Sequence, residues 1–262
     1  MIGKSYYTTQ LGAGLGLIEE TKALLELWES GMTSSQLQQV SLKSGRFPNV
    51  AARRLRNIIA ECFAPRYLVN DGNPAIHLKQ LLPHLNAAEF KQFLLLFTCR
   101  ANVILGDFVR QVYWERYAAG HTELSNDDAR RFVESAIDRG RMSKRWSESM
   151  VRRVSGYLTG CCADYGMLEN GLRSSRKILP FRIAPKVSAY IYHDLHFAEY
   201  GDNAILSHED WKLFGLDRFD VLDESKRLSL KGIFIVQAAG EVVKIGWKYQ
   251  SMESLCDVIA QI

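Results

Sequence analysis

Apolar residues recur every three or four positions along most of the chain, which is the spacing of amphipathic helices. The first run covers residues 17–28 and ends before Gly31, a residue type that often follows the last turn of a helix. Thr33 and Gln36 then have the spacing of a capping box, which predicts a short helix to about Leu42. The pattern indicates a mainly α-helical protein.

A turn and a second helix follow this short helix. The turn covers residues 43–48, where Gly45 permits a left-handed backbone and Pro48 suits the first position of a helix. The next helix is predicted over residues 49–63. Further helical patterns occupy residues 76–118 and form the expected core scaffold.

The same order of helix, glycine-containing turn and arginine-bearing helix recurs later in the chain. Ser125 or Asn126 is expected to cap a helix that ends at a basic turn over 139–145. A helix over 147–165 follows, and the two sides of an Asn-Gly turn within 167–183 are predicted to pair as a small hairpin. This second unit therefore has the elements of a winged helix-turn-helix.

The C-terminal part returns to helix and then gives a strong hairpin signal. Strand-forming residues occupy 233–237 and 242–247, on either side of a glycine-containing turn. The predicted fold is a globular, mainly α protein with two helix-turn-helix units and a small C-terminal β-hairpin. The predicted domains are an N-terminal helical domain with the first helix-turn-helix (1–74), a central helical scaffold with the second (75–184) and an acidic C-terminal α+β subdomain (185–262).

Composition places the chain among ordinary globular proteins, with 47% hydrophobic and 24% charged residues. The net charge of +4 hides a division along the chain. Residues 1–193 carry 26 basic and 17 acidic side chains, whereas residues 194–262 carry 7 and 12. The excess of positive charge in the first part favours a polyanionic partner.

The helix predicted over 49–63 has an apolar stripe and an opposite face rich in arginine and asparagine. These two side chains can pair with guanine and adenine edges, and arginine also binds phosphate. The DNA-contacting residues predicted for this unit are Arg46, Asn49, Arg53, Arg54, Arg56 and Asn57. The stripe predicted to be buried consists of Ala51, Leu55, Ile58, Ile59 and Cys62.

The helix predicted over 147–165 has the same construction. Its outward face includes Gly156 and Gly160, small residues that permit close approach of the backbone. The stripe predicted to be buried consists of Val151, Val154, Leu158, Cys162 and Tyr165. The DNA-contacting residues predicted for this unit are Lys144, Arg145, Ser149, Arg152 and Arg153, with Arg173, Arg176 and Lys177 near the tip of the hairpin.

The sequence gives no indication of a membrane or secreted protein. The longest apolar run, over 93–99, is far shorter than the roughly 20 residues of a membrane helix. The five cysteines are odd in number and four of them lie inside apolar helical patterns, which favours reduced core thiols in a cytosol. The absence of a Cys-x-x-Cys pair argues against a structural zinc. We expect a cytoplasmic protein without a cofactor or a metal. Its oligomeric state is not fixed by the sequence, although a monomer is favoured.

An enzymatic function has weak support in the sequence. His193 and His196 have the spacing of paired metal ligands or catalytic groups, but no third ligand lies near them in the sequence. The glycines over 12–16 lack the dinucleotide-binding spacing, and we expect a flexible entry to the first helix there. Common hydrolase and ATPase motifs are absent. We therefore expect a non-enzymatic protein.

Several short stretches together resemble one protein family. They are Ser5–Thr9 through Gly14-Leu15, Glu19–Thr21, Phe47–Asn49 with Ala52–Leu55, and the hairpin from Gly232 to Trp247. With these features most of the chain resembles BrxA, the small helical component of bacterial BREX (bacteriophage exclusion) systems.

The resemblance implies a cytoplasmic accessory protein that is encoded with a methyltransferase and other defence proteins. It also implies helix-turn-helix elements and affinity for duplex DNA, and it brings no catalytic residues. The expected partners are double-stranded DNA and other BREX components, with phage resistance as the biological role.

Two other binding functions remain open from the sequence. A basic helical protein can also bind RNA by shape, without a base-reading element. The other alternative is a protein adaptor whose acidic C-terminal surface docks a basic partner. The residues predicted for that surface are Asp217, Asp220, Asp223 and Glu224.

Overall fold

Helices dominate the structure, a computed structural model that describes residues 6–171, 174–240 and 242–261. The α-helices are α1 (Ile18–Leu27), α2 (Ser34–Lys43), α3 (Ala52–Asn57), α4 (Ala64–Tyr67), α5 (Asn73–Leu81), α6 (Ala87–Ala101), α7 (Val103–Phe108), α8 (Trp114–Ala118), α9 (Asn126–Asp138), α10 (Glu148–Asp164), α11 (Pro185–Phe197), α12 (Asp202–Leu206), α13 (Arg218–Leu230) and α14 (Met252–Ile259). The strands are β1 (Glu123–Ser125), β2 (Ser175–Lys177), β3 (Phe234–Ala239) and β4 (Val242–Trp247). The predicted mainly α class with a C-terminal hairpin is confirmed.

The chain groups into two compact units. Unit 1 consists of residues 1–76 and 94–180, and unit 2 consists of residues 77–93 and 181–262. Unit 1 carries 22 basic and 16 acidic residues, whereas unit 2 carries 11 and 13. The excess of positive charge therefore lies in unit 1. The division into three domains stays a prediction.

Side-chain caps begin helices where the sequence predicted them. Thr33 and Gln36 form a reciprocal capping box at the start of α2. Ser125, rather than the residue after it, caps α9, with Asp128 as its reciprocal partner. Ser147 caps α10. Each cap satisfies backbone N–H groups that have no partner within their helix.

The helix predicted over 49–63 differs at both ends. The Val50 N–H donates to the Phe47 carbonyl (3.1 Å), which closes a turn, and α3 begins only after that turn. A π-helical turn, Ile58–Phe63, then joins α3 to α4. Pro65 follows this wider turn without ending the helix, because a π turn leaves room for a ring that clashes in an α-helix interior.

The predicted apolar stripes form much of the core of unit 1. On the first arginine-bearing helix the buried residues are Leu55, Ile58, Ile59 and Cys62. Ala51 is exposed because it precedes the helix, so that prediction is wrong. On the second the buried residues are Val151, Val154, Leu158, Cys162 and Tyr165, as predicted.

The predicted hairpin within 167–183 forms and gains a third strand. The Glu169 N–H donates to the Lys177 carbonyl across the hairpin (2.9 Å). Strand β2 also pairs antiparallel with β1, where Glu123 lies opposite Lys177. Helices α7 and α8 form one continuous helix through the π turn Val109–Tyr113. This helix is followed by β1, α9, α10 and the hairpin, and the second strand of the hairpin, β2, pairs with β1.

The glycine-rich segment 12–16 packs closely against α10. The Gly16 N–H donates to the Asp164 carboxylate (2.9 Å). A Cβ on Gly16 would lie 2.5 Å from the Asp164 Cβ, and one on Gly12 would lie 2.7 Å from the Tyr157 ring. A larger residue at either position forces its neighbours to shift. The segment is therefore packed, and the prediction of a flexible entry is wrong.

Arg66, which is 2% exposed, binds the same segment from the first arginine-bearing helix. Its guanidinium donates to the Gly14 carbonyl (2.8 Å) and the Leu15 carbonyl (3.3 Å), and Arg54 donates to the Ala13 carbonyl. A buried cation is costly unless its N–H groups are bonded, so these carbonyls stabilise the guanidinium. The segment thereby connects the α3–α4 helix to α10.

In unit 2, the predicted C-terminal hairpin forms beside α11. Strands β3 and β4 pair antiparallel, from Phe234 opposite Trp247 to Ala239 opposite Val242. His193 of α11 is fully buried against this hairpin, with its ring centroid 5.0 Å from that of Trp247. The aromatic residues of the hairpin and α11 therefore share one core.

His193 is buried in its neutral form. Its Nδ1 donates to the Ala189 carbonyl (2.9 Å), whereas its Nε2 has no hydrogen-bond partner among the described residues. Burial lowers the pKa of His193 to about 4. An unfolded histidine takes up its proton near pH 6.5, so the folded state loses stability as the pH falls from 6.5 toward 4.

Gly16→Ala is expected to destabilise the fold by about 1–3 kcal/mol, because the new methyl group overlaps Asp164. Gly156→Ala is the matched control, since no atom lies within 4 Å of its added Cβ and alanine favours helix by up to about 1 kcal/mol. Urea unfolding of both variants measures these changes. Equal effects of the two substitutions would contradict the packing of the segment on α10.

His193→Phe is expected to reduce the loss of unfolding free energy between pH 7 and pH 5 by about 2 kcal/mol. The substitution removes the group that the unfolded state protonates and the folded state does not. Urea unfolding at both pH values, followed by tryptophan fluorescence, measures the difference. His121→Gln, at an exposed histidine, should retain the full pH dependence. An unchanged pH dependence in His193→Phe would refute this assignment.

Candidate nucleic-acid interface

The arginines around α3 are only partly available to a ligand. Arg46 pairs with Glu26, and Arg54 is bound to the glycine-rich segment. Arg53 and Arg56 are exposed, and neither forms an ion pair with another described residue. The first predicted interface therefore retains two available arginines on α3.

The two asparagines predicted to read bases do not share a helix face. Asn49 is exposed in the turn before α3, so the helix predicted to carry it does not include it. Asn57 is the last residue of α3 and is half-buried. This part of the predicted base-reading face is wrong, because the turn displaces the start of the helix.

The first turns of α10 present a basic and exposed surface. Ser149, Arg152 and Arg153 are all exposed, and their spacing places them on adjacent positions of one helix face. Arg152 pairs with Glu148 (3.3 Å), but both side chains are more than 70% exposed. Such a pair contributes about 0.2–1 kcal/mol, so Arg152 can exchange Glu148 for a phosphate at small cost.

The loop between α9 and α10 adds charge at the same end of α10. Lys144 and Arg145 are exposed, and within the described ranges neither pairs with a carboxylate. The loop leads to Ser147, whose hydroxyl accepts the Met150 N–H (3.3 Å). The N-terminus of this 17-residue helix also carries partial positive charge, which favours an anion.

The hairpin contributes less than the sequence predicted. Arg176 is half-buried on β2, and its guanidinium donates to the Glu169 carbonyl (3.3 Å). Lys177 is exposed and lies opposite Glu123. Arg173 lies outside the described residues. The hairpin therefore holds Arg176 against its own backbone and leaves Lys177 exposed.

The two small residues of α10 have different surroundings. Gly156 is half-buried, with no atom within 4 Å of an added Cβ. Gly160 is buried, because Leu15 of the glycine-rich segment lies against it. The prediction that Gly160 faces outward is thus wrong, and the exposed face of α10 is confined to its N-terminal half.

Many other basic residues of unit 1 are paired within the unit. Arg116 and Arg131 both bind Asp128, and Arg141 pairs with Asp107 (2.8 Å). Burial raises the pKa of Asp128, but hydrogen bonds from Ser125 and Arg131 and the charge of Arg116 lower it below its usual range. Clusters of basic residues along the sequence therefore overstate the charge available to a ligand.

These paired arginines surround a cleft that the sequence did not predict. The cleft has a volume of about 960 Å³ and lies between α9 and the helix that runs from α7 to α8. It is also lined by Tyr7, whose hydroxyl donates to Asp107 (2.6 Å). No short sequence pattern indicates the cleft, because Tyr7 is 100 residues away from Asp107.

The acidic surface predicted for an adaptor is only partly present on α13. Glu224 is buried, where it accepts from Ser188 (2.9 Å) and pairs with Arg227 (3.2 Å). Asp217 and Asp220 form the capping box of the helix. The prediction that Glu224 is exposed is wrong, because it faces α11 rather than solvent.

The histidine pair lies in an aromatic cluster of unit 2. His193 is buried among aromatic rings, and His196 stacks on Trp247 with a centroid distance of 4.0 Å. No group of three or more His, Cys, Asp or Glu side chains that could hold a metal ion occurs among the residues the structure describes.

The helices were also compared with the dimensions of a bilayer. Over residues 6–171, 174–240 and 242–261, no single helix is long and apolar enough to cross a membrane. The segments Ala87–Ala101 and Val103–Ala118 meet the length and composition criteria only as a pair, and the pair is bent by 114°.

Comparison with solved structures reveals a similar fold elsewhere. A crystal structure of an uncharacterized protein from Magnetospirillum magneticum matches with a TM-score of 0.58 and 15% sequence identity. The match covers 73% of this chain and 94% of that chain. At this identity the similarity concerns the fold alone. No curated protein matches the chain.

Comparison with protein families gives a match over most of the chain. The model of the BrxA family matches residues 5–194, which include all of the predicted DNA-contacting residues. The predicted resemblance is confirmed. The chain therefore belongs to the BrxA family, which makes it a BREX-associated phage-defence protein.

Proposed function

We propose that this protein is a non-catalytic, double-stranded DNA-binding accessory factor of its BREX system. It acts in the cytoplasm, where it contacts DNA and other BREX components. The DNA-binding element is the N-terminal half of α10 together with the loop before it. The observation that carries the proposal is the exposed, basic start of α10 within a helix, strand, helix, helix and hairpin order.

This order of elements is the one used by winged helix-turn-helix domains. In that arrangement α9 supports α10, and α10 enters the major groove, which is roughly 12 Å wide. In this proposal α10 is the recognition helix, and the hairpin, whose strand β2 pairs with β1, is the wing. In unit 1, α9 and α10 pack together through a bond from the Thr159 hydroxyl to the Asn126 side chain (2.6 Å).

The charges at the start of α10 suit phosphate contacts. Lys144, Arg145 and Arg153 are exposed and have no carboxylate partner among the described residues. Arg152 is held only by an exposed ion pair. Ser149 adds a hydroxyl that can donate to phosphate or a base edge. Most of the affinity is therefore sequence-independent and depends on salt.

The helix α3 provides an additional, smaller contact surface. Arg53 and Arg56 are exposed on this helix and form no ion pair in the described ranges, whereas Arg54 is bound to the Ala13 carbonyl. The helix is connected to α10 through the glycine-rich segment, so both surfaces belong to one packed unit. A duplex that contacts both α10 and α3 therefore contacts a single packed unit.

Arg145→Gln/Arg153→Gln is expected to weaken duplex binding about 30- to 100-fold at 0.1 M salt. It should also lower the slope of log affinity against log salt by about 1.8, because two phosphate contacts are lost. Fluorescence anisotropy with a 20-base-pair duplex at several salt concentrations measures both quantities. Lys212→Gln/Lys244→Gln removes the same charge from exposed positions of unit 2 and should leave both values nearly unchanged.

The same titration distinguishes the alternatives. The RNA alternative would be established if duplex RNA bound at least as tightly as duplex DNA and if Arg145→Gln/Arg153→Gln weakened the binding of both duplexes equally. Absence of binding to any nucleic acid at low salt would leave the adaptor function. Equal losses in both double variants would show that net charge, rather than the α10 surface, determines the affinity.

A further inference from the structure

The cleft beside α9 combines a basic wall with an aromatic one. Phe132 is half-buried in it, and its ring lies 6.1 Å from that of Tyr7 at an angle of 29°. Phe108 supports Phe132 from behind at 5.6 Å. Phe132 is thus held in place by two aromatic neighbours, and the residue remains half-buried, so part of it is accessible to a planar group.

The positive charge of the cleft exceeds the negative charge within it. Four arginines and two carboxylates line it, which gives a net charge of +2 with His121 neutral. The carboxylate of Asp128 is shared by Arg116 and Arg131, so one positive charge of that group is uncompensated. Asp107, beneath the cleft, does not change the balance because it faces Arg110 as well as Arg141 (3.6 and 2.8 Å).

Arg139 is the most available cation in the cleft. It is exposed at the C-terminal end of α9, and it forms no ion pair with another residue that the structure describes. Exposed guanidinium groups bind phosphate oxygens in pairs of hydrogen bonds. Arg131 lines the same cleft and adds positive potential to it, although its guanidinium is bound to Asp128.

We propose that this cleft binds a nucleoside phosphate, with the base stacked on Phe132 and the phosphate held by Arg139. A phosphate monoester carries close to two negative charges at neutral pH, which matches the net charge of +2. An internal phosphodiester carries only one. The ligand is therefore a mononucleotide or a nucleotide with a terminal phosphate at the end of a strand. The cleft is large enough for either, since small-molecule pockets span about 300–1,000 Å³.

The cleft is separate from the surface proposed for duplex DNA. Its lining comes from α9, the α7–α8 helix, Tyr7, His121 and the loop residues Arg139 and Arg141. The duplex surface comes from α10 and the later loop residues Lys144 and Arg145, so the two share no residue. The inference therefore does not depend on duplex binding. A nucleotide bound here leaves Arg153 free.

Calorimetric titration of the full chain with AMP, GMP, CMP and UMP tests the proposal, with adenosine and inorganic phosphate as probes of each half of the ligand. We expect at least one mononucleotide to bind at least tenfold more tightly than adenosine or phosphate. Arg139→Gln should weaken that binding at least tenfold, and Phe132→Leu should weaken it to the level of phosphate. Lys212→Gln, at an exposed lysine of unit 2, is the matched control outside the cleft and should bind as the unchanged protein does.

A second variant blocks the cleft without removing charge. Ala119 is exposed and lines the cleft, so Ala119→Trp should abolish binding while circular dichroism shows an intact helical fold. Titration with a 5′-phosphorylated tetranucleotide and with its 5′-hydroxyl form shows whether the ligand is the end of a strand or a free nucleotide. Tight binding of the phosphorylated form shows that strand ends are ligands, and binding of mononucleotides alone shows that the ligand is free.

Three results would overturn the proposal. The first is no heat from any nucleotide at millimolar concentration. The second is phosphate binding as tight as nucleotide binding, which would mean an adventitious ion only. The third is unchanged nucleotide affinity in both Arg139→Gln and Ala119→Trp, because a ligand in the cleft must contact or displace these side chains.

Discussion

The close packing of residues 12–16 between two helices is the constraint on which unit 1 depends. The backbone of this segment donates to Asp164 on α10 and accepts from Arg66 on the α3–α4 helix. Glycine at positions 12 and 16 lets the chain pass where a side chain would overlap α10. The two arginine-bearing helices are therefore connected through one segment.

This constraint also determines which part of α10 is exposed. The segment covers the C-terminal half, where Gly160 is buried, and leaves the N-terminal half with Ser149, Arg152 and Arg153 accessible. The basic residues of unit 1 fall into two groups. Some stabilise the fold through buried or shared carboxylates and carbonyls, as Arg66 and Arg141 do. Others have no such partner among the described residues and remain available to an anion.

Local patterns predicted the helices, their caps and the apolar stripes, because these features depend on residues within a few positions of each other. The capping box at Thr33 and the buried side of α10 follow directly from spacing. The start of α3 was misplaced, because a turn closed by Val50 competes with the first helical turn. Pairing of β1 with β2 was not predicted, since it joins short strands about 50 residues apart.

The sequence predicted those parts of the candidate sites that depend on local spacing, and missed those that depend on contacts between distant residues. Exposed arginines on α10 follow from helical periodicity. Neutralisation of Arg46 by Glu26 and burial of Glu224 against Ser188 depend on contacts between distant residues, which periodicity does not encode. The cleft beside α9 is the clearest case, because Tyr7 and Asp107 come together only in the folded unit. Counting charges along the sequence thus identifies a basic region, but it does not show which basic side chains in that region are unpaired in the fold.

Hydrogen–deuterium exchange with and without a 20-base-pair duplex at low salt tests the central claim most directly. The account predicts slower exchange over residues 141–157 and weaker protection over 52–57, with unit 2 residues 202–230 unchanged. Protection confined to unit 2, or an unchanged exchange rate over 141–157 under saturating duplex, would contradict the assignment of α10 as the DNA-binding element.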